Sequence, residues 1–270
     1  MLFRSAMQNA GFQSVGLDAI YVPWQVSPTD LSAAIAGMKA LGVAGFNVTI
    51  PHKSAVVKYL DEISPEAEIA GAVNTVLNRN GKLVGYNTDG AGLILALERK
   101  LGFSAKGKRI LLLGAGGAAR GAVAALADSG VASISILNRT RARAEELCQE
   151  MRAVFKEVVF TLFDLEECSA GPSDCIDLVI NATSDGMDGR DFSLISLAQF
   201  GNAVKVYDMV YAARITPLCS AAKALGLQAD DGLSMLAAQG ELAFQLWTGR
   251  CPEEGLFYSV LESLIRISKP

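Results

Sequence analysis

Three polar clusters in the first third of the chain hold side chains able to move a proton. They are N-V-T-I-P-H-K (47–53), G-A-V-N-T-V (71–76) and G-Y-N-T-D-G-A-G (85–92). Each lies at or near the end of an apolar, strand-like run. Lys53 and Asp89 form the obvious acid/base pair: a lysine can give a proton to a carbonyl or take one from an alcohol, and a carboxylate beside it can fix its position. His52 is the only histidine of the chain and titrates near neutrality. The sequence offers it neither triad nor metal partners, so it reads as a helix-start residue beside the site. Val48 and Ile50 read as anchors of the preceding strand, and Asn47 has no assigned role.

A second constellation points to a dinucleotide. L-L-L-G-A-G-G-A-A-R (111–120) sets Gly114, Gly116 and Ala119 at G-x-G-x-x-A, directly after a strand and at the opening of a helix. That context gives an otherwise weak pattern its meaning. Gly114 allows the tight turn, Gly116 lets the backbone approach a pyrophosphate, and Ala119 keeps helix and strand close. Free N–H groups at the helix start would hold the anion. A glycine-rich turn without a ligand is the plain alternative. The end of the next strand separates the two nicotinamide cofactors. An acidic residue there would accept from a ribose hydroxyl, as in NAD sites. This chain has Asn138, Arg139 and Thr140, then Arg141 and Arg143, with no carboxylate before Glu145. Guanidinium groups suit a 2′-phosphate, and cations at a helix start are disfavoured unless an anion joins them. NADP is expected over NAD.

The elements that must position these groups fall into two styles. In the first ninety residues, 19–26 and 43–50 read as strands and 27–42 as a helix, with Ser27 as cap, Pro28 in the first turn and Gly42 past the end. Asn80-Gly81 joins two strand patterns as a hairpin. From Lys106 onward strands (109–114, 132–138, 158–163, 175–183, 203–211) alternate with helices (118–130, 141–152), the grammar of a doubly wound parallel sheet. Two amphipathic helices, about 233–248 and 252–268, close the chain. The expected architecture is therefore α/β with two domains. Residues 1–90 plus 233–270 form a discontinuous substrate-binding domain, and 91–232 a Rossmann-type cofactor domain.

Composition narrows the function classes. The chain has 270 residues, 51% of them hydrophobic, and a net charge of −4, which argues against general nucleic-acid binding. No apolar run is long enough to span a bilayer, and M-L-F-R-S-A-M-Q-N lacks a secretory core. Five scattered cysteines form no C-x-x-C pair, which suits a reducing cytoplasm. One histidine excludes a multi-histidine metal centre, so no metal is expected.

The motifs N-V-T-I-P-H-K, A-G-A-V-N-T-V, G-Y-N-T-D-G, G-A-G-G-A-A-R, N-R-T-R-A-R, N-A-T-S-D-G-M, Y-D-M-V-Y-A-A-R-I-T-P and D-G-L-S-M-L-A-A-Q occur in this order. Together they resemble the shikimate dehydrogenase family, from about residue 5 to the end. The resemblance implies a substrate domain and an NADP domain with a cleft between them. It also implies reversible reduction of 3-dehydroshikimate to shikimate, with Lys53 and Asp89 as the catalytic pair. Thr49, Asn74, Tyr211 and Gln239 match positions that hold the substrate's hydroxyl groups and carboxylate. Gly114, Ala115, Gly116, Gly117 and Ala118 match the pyrophosphate loop, and Asn138, Arg139, Thr140 and Arg143 the 2′-phosphate site. Thr183, Met209 and Gly232 match positions beside the nicotinamide. A cyclic polyol carboxylate is the implied partner, without nucleic acid or membrane, and the protein would be a monomer or homodimer.

The beginning departs from that pattern. Leu2 and Arg4 fall where the family has two carboxylate-binding serines, and Ser5 where it has a proline. The first strand has no counterpart. This reads either as a shortened start or as a paralogue with a rebuilt carboxylate site, in which Arg4 would make a bidentate contact. A solvated arginine near a frayed terminus is the plainer alternative. Ser234 replaces a usual glycine. Quinate or an aminoshikimate are alternative substrates, and a weakly catalytic NADP-binding sensor is the alternative of a different class. The retained Lys53 and Asp89 favour an enzyme.

Overall fold

The computed structural model describes residues 2–163, 176–186, 192–212 and 214–267. The chain divides into two compact units, Met1–Gly92 with Leu236–Ile267, and Leu93–Met235.

The first unit is built on a four-stranded mixed sheet. Its strands are β1 (Gly45–Asn47), β2 (Glu62–Ile63), β3 (Thr75–Arg79) and β4 (Lys82–Tyr86), ordered β1-β3-β4-β2. The hairpin between β3 and β4 forms as its Asn-Gly pair dictates: Asn80 and Gly81 both take positive φ, 53° and 88°, the conformation a two-residue turn of this kind requires. Helix α2 (Leu31–Ala40) follows a short 3-10 turn at Pro28–Asp30. Ser27 Oγ donates to Asp30 Oδ2 at 2.7 Å and does not cap the backbone. Gly42 takes φ +65° beyond the helix end, as a left-handed stop does. Leu31 and Ile35 of α2 bury against Phe46, Val48, Val56, Val73, Val76 and Leu83.

Two strand expectations for this unit fail. Residues 19–26 form no strand, and in 43–50 only Gly45–Asn47 pairs. A strand exists only through a ladder partner, and among the described residues none borders 19–26. The N–H and C=O of Tyr21 are instead both taken by the Asn9 side chain, at 2.7 and 3.0 Å, while Pro23 has no donor to offer. Asn9 lies on α1 (Leu2–Ser14). The frayed start is also corrected: Arg4 sits half-buried in the first turn of that helix. Helix α3 (Pro65–Ala70) ends on Gly71 at φ 63°, which turns the chain into Ala72–Asn74.

The second unit carries a six-stranded, wholly parallel sheet. Its strands are β5 (Arg109–Leu113), β6 (Ser133–Leu137), β7 (Val159–Leu162), β8 (Leu178–Asn181), β9 (Lys205–Asp208) and β10 (Ala229–Asp231), in the order β10-β9-β8-β5-β6-β7. That is the Rossmann order. Ile110–Leu113 are fully buried, as expected of a central strand covered on both faces. Crossovers are made by α5 (Gly117–Asp128) and α6 (Arg141–Val154), with α7 (Pro217–Ala224) before β10. Strand order reverses between β5 and β8, where Leu113 faces Asn181. Ligands of such sheets bind at the carboxyl ends beside that reversal. Cys175, at the expected start of β8, lies outside the described residues. Three further helices are α4 (Thr88–Leu101), α8 (Gly232–Thr248) and α9 (Leu256–Ile267). The unit boundaries fall within α4 and α8.

Candidate active site

Lys53 and Asp89 meet in the first unit. Lys53 lies in the turns after Pro51, and its carbonyl accepts from Val73 N at 2.8 Å, pinning it beside the entry to β3. Asp89 stands in the first turn of α4, which Asn87 caps by accepting from Asp89 N at 3.0 Å. A helix start favours a carboxylate. Lys53 Nζ donates to Asp89 Oδ2 at 2.5 Å, and the two side chains remain 26% and 23% exposed. Both can therefore be reached by a ligand. An ammonium has three donors, so this contact leaves donors to spare.

The carboxylate is itself held in place. Asn74, almost fully buried, donates to Asp89 Oδ1 at 2.8 Å and to Thr88 Oγ1 at 3.0 Å. Asn74 Oδ1 accepts from Thr88 N at 2.9 Å and Thr75 Oγ1 at 2.9 Å. These contacts fix the orientation of the amide, so its NH2 must face Asp89. Asn47 extends the network, donating to Thr75 Oγ1 at 3.0 Å and the Asn74 carbonyl at 3.1 Å, and accepting from Tyr21 Oη at 3.0 Å. Tyr21, Asn47, Thr75 and Thr88 escaped the sequence reading. The repeated Asn-Thr pair, 74–75 and 87–88, was a signal for Thr75 and Thr88 alone.

Thr49 is exposed just past β1, its carbonyl accepting from His52 N at 2.8 Å. Gln239, on α8, is buried; its Nε2 donates to the Leu236 carbonyl at 2.8 Å, and its Oε1 has no partner. Gln239 packs on Gly92, where an added Cβ would come within 2.9 Å of it, about one turn beyond Asp89. His52 does not begin a helix: it sits among turns, with Nε2 2.9 Å from the Val26 carbonyl. Its ring tethers the irregular 17–27 segment.

The second unit holds the glycine loop. Gly114 takes φ +112° beside Thr183, a backbone state closed to ordinary side chains. Cβ atoms added at Gly116 or Gly117 would meet nothing within 4 Å, so that stretch of backbone is open to a ligand. Helix α5 starts there without a side-chain cap, leaving its first N–H groups for an anion. A pocket of about 320 Å³ opens at this point, lined by Ala115, Gly116, Gly117, Arg120 and Arg143 among others. Arg120 ion-pairs with Glu150, and Arg141 with Glu145 at 3.1 Å. Arg139 and Arg143 are exposed and have no carboxylate partner among the described residues. Ala118 and Thr140 are exposed, and Asn138 Nδ2 donates to the Thr140 carbonyl at 2.8 Å. The open glycines, the free helix start and the unpaired arginines fit a 2′-phosphorylated dinucleotide.

Around the ends of β8, β9 and β10 lie the remaining positions. Thr183 Oγ1 donates to Asn181 Oδ1 at 2.7 Å. Met209 is half-buried and Tyr211 is 38% exposed. Gly232 has its backbone against Met209, where an added Cβ would lie 2.3 Å from the carbonyl oxygen. Burial raises the carboxyls of Asp208 and Asp230, and lifts Asp231 to about 6 and the Cys219 thiol to about 12. The hydroxyl of Ser234 donates to Asp230 Oδ2 at 2.5 Å and lies 3.0 Å from Tyr207 Oη, contacts that a glycine there could not make. Among the described residues no helix is long and apolar enough to cross a membrane.

Comparison with known proteins gives three family-model matches. Residues 4–76 match the shikimate dehydrogenase substrate binding domain, 96–187 the shikimate / quinate 5-dehydrogenase model, and 232–262 the shikimate 5′-dehydrogenase C-terminal domain. A shikimate dehydrogenase (NADP(+)) of Geobacter sp. (strain M21) is 48% identical over 98% of this chain and 91% of its own length. Among solved structures, shikimate 5-dehydrogenase of Thermus thermophilus in complex with NADP(H) and shikimate is 35% identical with a TM-score of 0.85, covering 97% of this chain and 94% of that one. The ligand-free 5-ketofructose reductase of Gluconobacter sp. strain CHM43 is 36% identical with a TM-score of 0.87, covering 97% and 93%.

Proposed function

The chain belongs to the shikimate dehydrogenase family, and from that premise we propose that it is an NADP-dependent oxidoreductase interconverting 3-dehydroshikimate and shikimate. The observation that carries this reading is the Lys53–Asp89 contact at 2.5 Å with Asn74 on the other carboxylate oxygen. A dinucleotide-binding sensor has no need of a lysine held this way.

When bound, a nicotinamide cofactor would supply the hydride that reduces the substrate carbonyl carbon. Lys53 Nζ gives a proton to the oxygen as it becomes an alkoxide, and takes it back in the oxidative direction. Asp89 keeps the ammonium aimed and accepts from a neighbouring substrate hydroxyl. Thr49 offers a hydroxyl and Gln239 its unpartnered amide oxygen to the ring hydroxyls, with Tyr211 contributing a phenol, while Asn74, engaged on all sides, acts by holding Asp89. The loop Gly114–Ala118 holds the pyrophosphate, and Asn138, Arg139, Thr140 and Arg143 hold the 2′-phosphate. Thr183, Met209 and Gly232 would border the nicotinamide. We further propose a cytoplasmic enzyme, monomeric or homodimeric. Initial rates at the reduced-nicotinamide absorbance band, with shikimate and quinate each paired with oxidised NADP and NAD, and 5-ketofructose with the reduced forms NADPH and NADH, test the assignment. Turnover fastest with shikimate and NADP is expected. Tight NADP binding without turnover of any of the three would defeat it.

A further inference from the structure

Asn181 and Asp208 face each other across the last rung of β8 and β9, and both are fully buried. Neither residue type favours a strand, and the rest of β8, Leu178–Ile180, is apolar and fully buried. A polar pair placed there carries a desolvation cost that its hydrogen bonds must offset. Asn181 Nδ2 donates to Asp208 Oδ1 at 2.9 Å, and the same oxygen accepts from Val210 N at 3.1 Å. Asn181 Oδ1 accepts from Thr183 N at 3.0 Å and from Thr183 Oγ1 at 2.7 Å. A backbone N–H can only donate, so the orientation of the amide is fixed.

From this pair, hydrogen bonds lead to each of Thr183, Met209 and Gly232. Thr183 is held by the Asn181 amide oxygen, and its hydroxyl accepts from Asp185 N at 3.0 Å. Met209 N donates to the Asn181 carbonyl at 2.9 Å. Val210, whose N–H is held by Asp208, accepts at its carbonyl from Gly232 N at 3.1 Å. Gly232 is in turn pressed on Met209, where an added Cβ would lie 2.3 Å from the carbonyl oxygen. One buried pair therefore ties together the ends of β8 and β9 and the start of α8. All of these residues belong to the second unit, at the carboxyl edge of its sheet, where ligands of such folds bind.

We propose that Asn181 and Asp208 act together as positioning residues for the nicotinamide half of the cofactor, setting the wall formed by Thr183, Met209 and Gly232 before the dinucleotide arrives. This rests on the proposed place of those three residues beside the nicotinamide. A buried network with its bonds made rigidifies what it joins, and a wall already in place need not be ordered when the ligand binds. Small displacements of such a wall tell on the rate, because reaction in a bound complex depends on near-attack alignment. The stretches assigned to the phosphates, Gly114–Ala118 and Asn138–Arg143, follow other strands, β5 and β6. The effect of the pair therefore falls on one half of the cofactor.

The test compares the full chain with Asn181→Ala, Asp208→Ala and Asp208→Asn, with folding checked by circular dichroism. Calorimetric titration uses NADP and 2′,5′-ADP, the fragment that lacks the nicotinamide, and steady-state rates use shikimate. Both alanine variants should raise Kd for NADP at least about three-fold through lost preorganisation, and leave Kd for 2′,5′-ADP within about two-fold. They should lower kcat by about 10- to 100-fold. Asp208→Asn keeps an oxygen for the Asn181 and Val210 donors and should recover most of the loss. Asn181→Asp repeats the test if the alanine variants do not fold, since it keeps the acceptor for Thr183 and turns an oxygen toward Asp208. Equal losses for NADP and 2′,5′-ADP, a kcat within about two-fold of the unmodified protein, or no variant that folds would overturn the proposal. Failure of the parent reading looks different, because the unmodified protein would then turn over no shikimate. In that case the titrations decide: weakened NADP with unchanged 2′,5′-ADP upholds the pair's role, and equal changes, or no NADP binding by the unmodified protein, remove it.

Discussion

Lys53 Nζ and Asp89 Oδ2 lie 2.5 Å apart across 36 residues of sequence. The contact is set from both sides, by the Val73–Lys53 backbone bond and by the helix start that carries Asp89. A proton donor aimed this way acts in the transition state, where charge develops on the substrate oxygen. Lys53→Ala should therefore lower kcat by about 10²- to 10⁴-fold, with a much smaller change in KM. Steady-state rates with shikimate and NADP measure this. A kcat within a few-fold of the unmodified protein would remove Lys53 from the mechanism.

Asn74 supports that pair from a position closed to solvent. Asn74→Ala removes the donor to Asp89 Oδ1 and leaves Thr88 N without its acceptor. An abandoned buried polar group costs about 1–3 kcal/mol, so the melting temperature should fall. The kcat should fall as well, though less than for Lys53→Ala, because Asp89 keeps its oxygen on the lysine. A variant with normal kcat and a lowered melting temperature would confine Asn74 to a structural role.

The contrast between what could be read beforehand and what could not follows from range. The G-x-G-x-x-A loop, the Asn80-Gly81 turn and the left-handed Gly42 rest on local backbone requirements, which residue types announce directly. The parallel sheet was legible for the same reason, through continuous apolar runs such as Ile110–Leu113. Residues 19–26 have the alternation of a strand, but alternation says nothing about whether a neighbouring strand is there to pair with. Asn47, Tyr21 and Gln8 matter through partners 26 to 232 positions away, and nothing in their own neighbourhoods signals it. Arg4 was legible as a departure, whereas its burial depended on α1 packing.

At the cofactor end, Arg139 and Arg143 are exposed guanidinium groups without carboxylate partners among the described residues, while Arg141 is engaged with Glu145. Their value to a ligand lies in the 2′-phosphate. The double variant Arg139→Ala, Arg143→Ala should raise KM for NADP at least about ten-fold, the loss of one or more charge-assisted contacts, and leave KM for NAD nearly unchanged. Added salt should weaken NADP binding in the unmodified protein more than in the variant, since these contacts are screened. Equal losses for both cofactors would place the arginines elsewhere than at the phosphate.

Asp231 gives a pH dependence of defined sign. Burial is the main cause of its raised value of about 6, reinforced by Asp230 and Asp208 and opposed by the Leu233 N–H that it accepts. In the unfolded chain it titrates near 3.8. Between those values the folded state binds more protons than the unfolded one, so this group lowers stability as pH rises, and its full cost is present above about pH 6. Asp61 and Asp177, whose values are lowered, act in the opposite sense and lose their contribution toward acid, so the comparison must be between variant and parent at each pH. Asp231→Asn keeps an oxygen for Leu233 N and carries no charge. It should raise the melting temperature at about pH 8 and shift it much less at about pH 4.5, where the folded parent is already protonated. Equal shifts at both values would mean that the buried charge is not what Asp231 costs the fold.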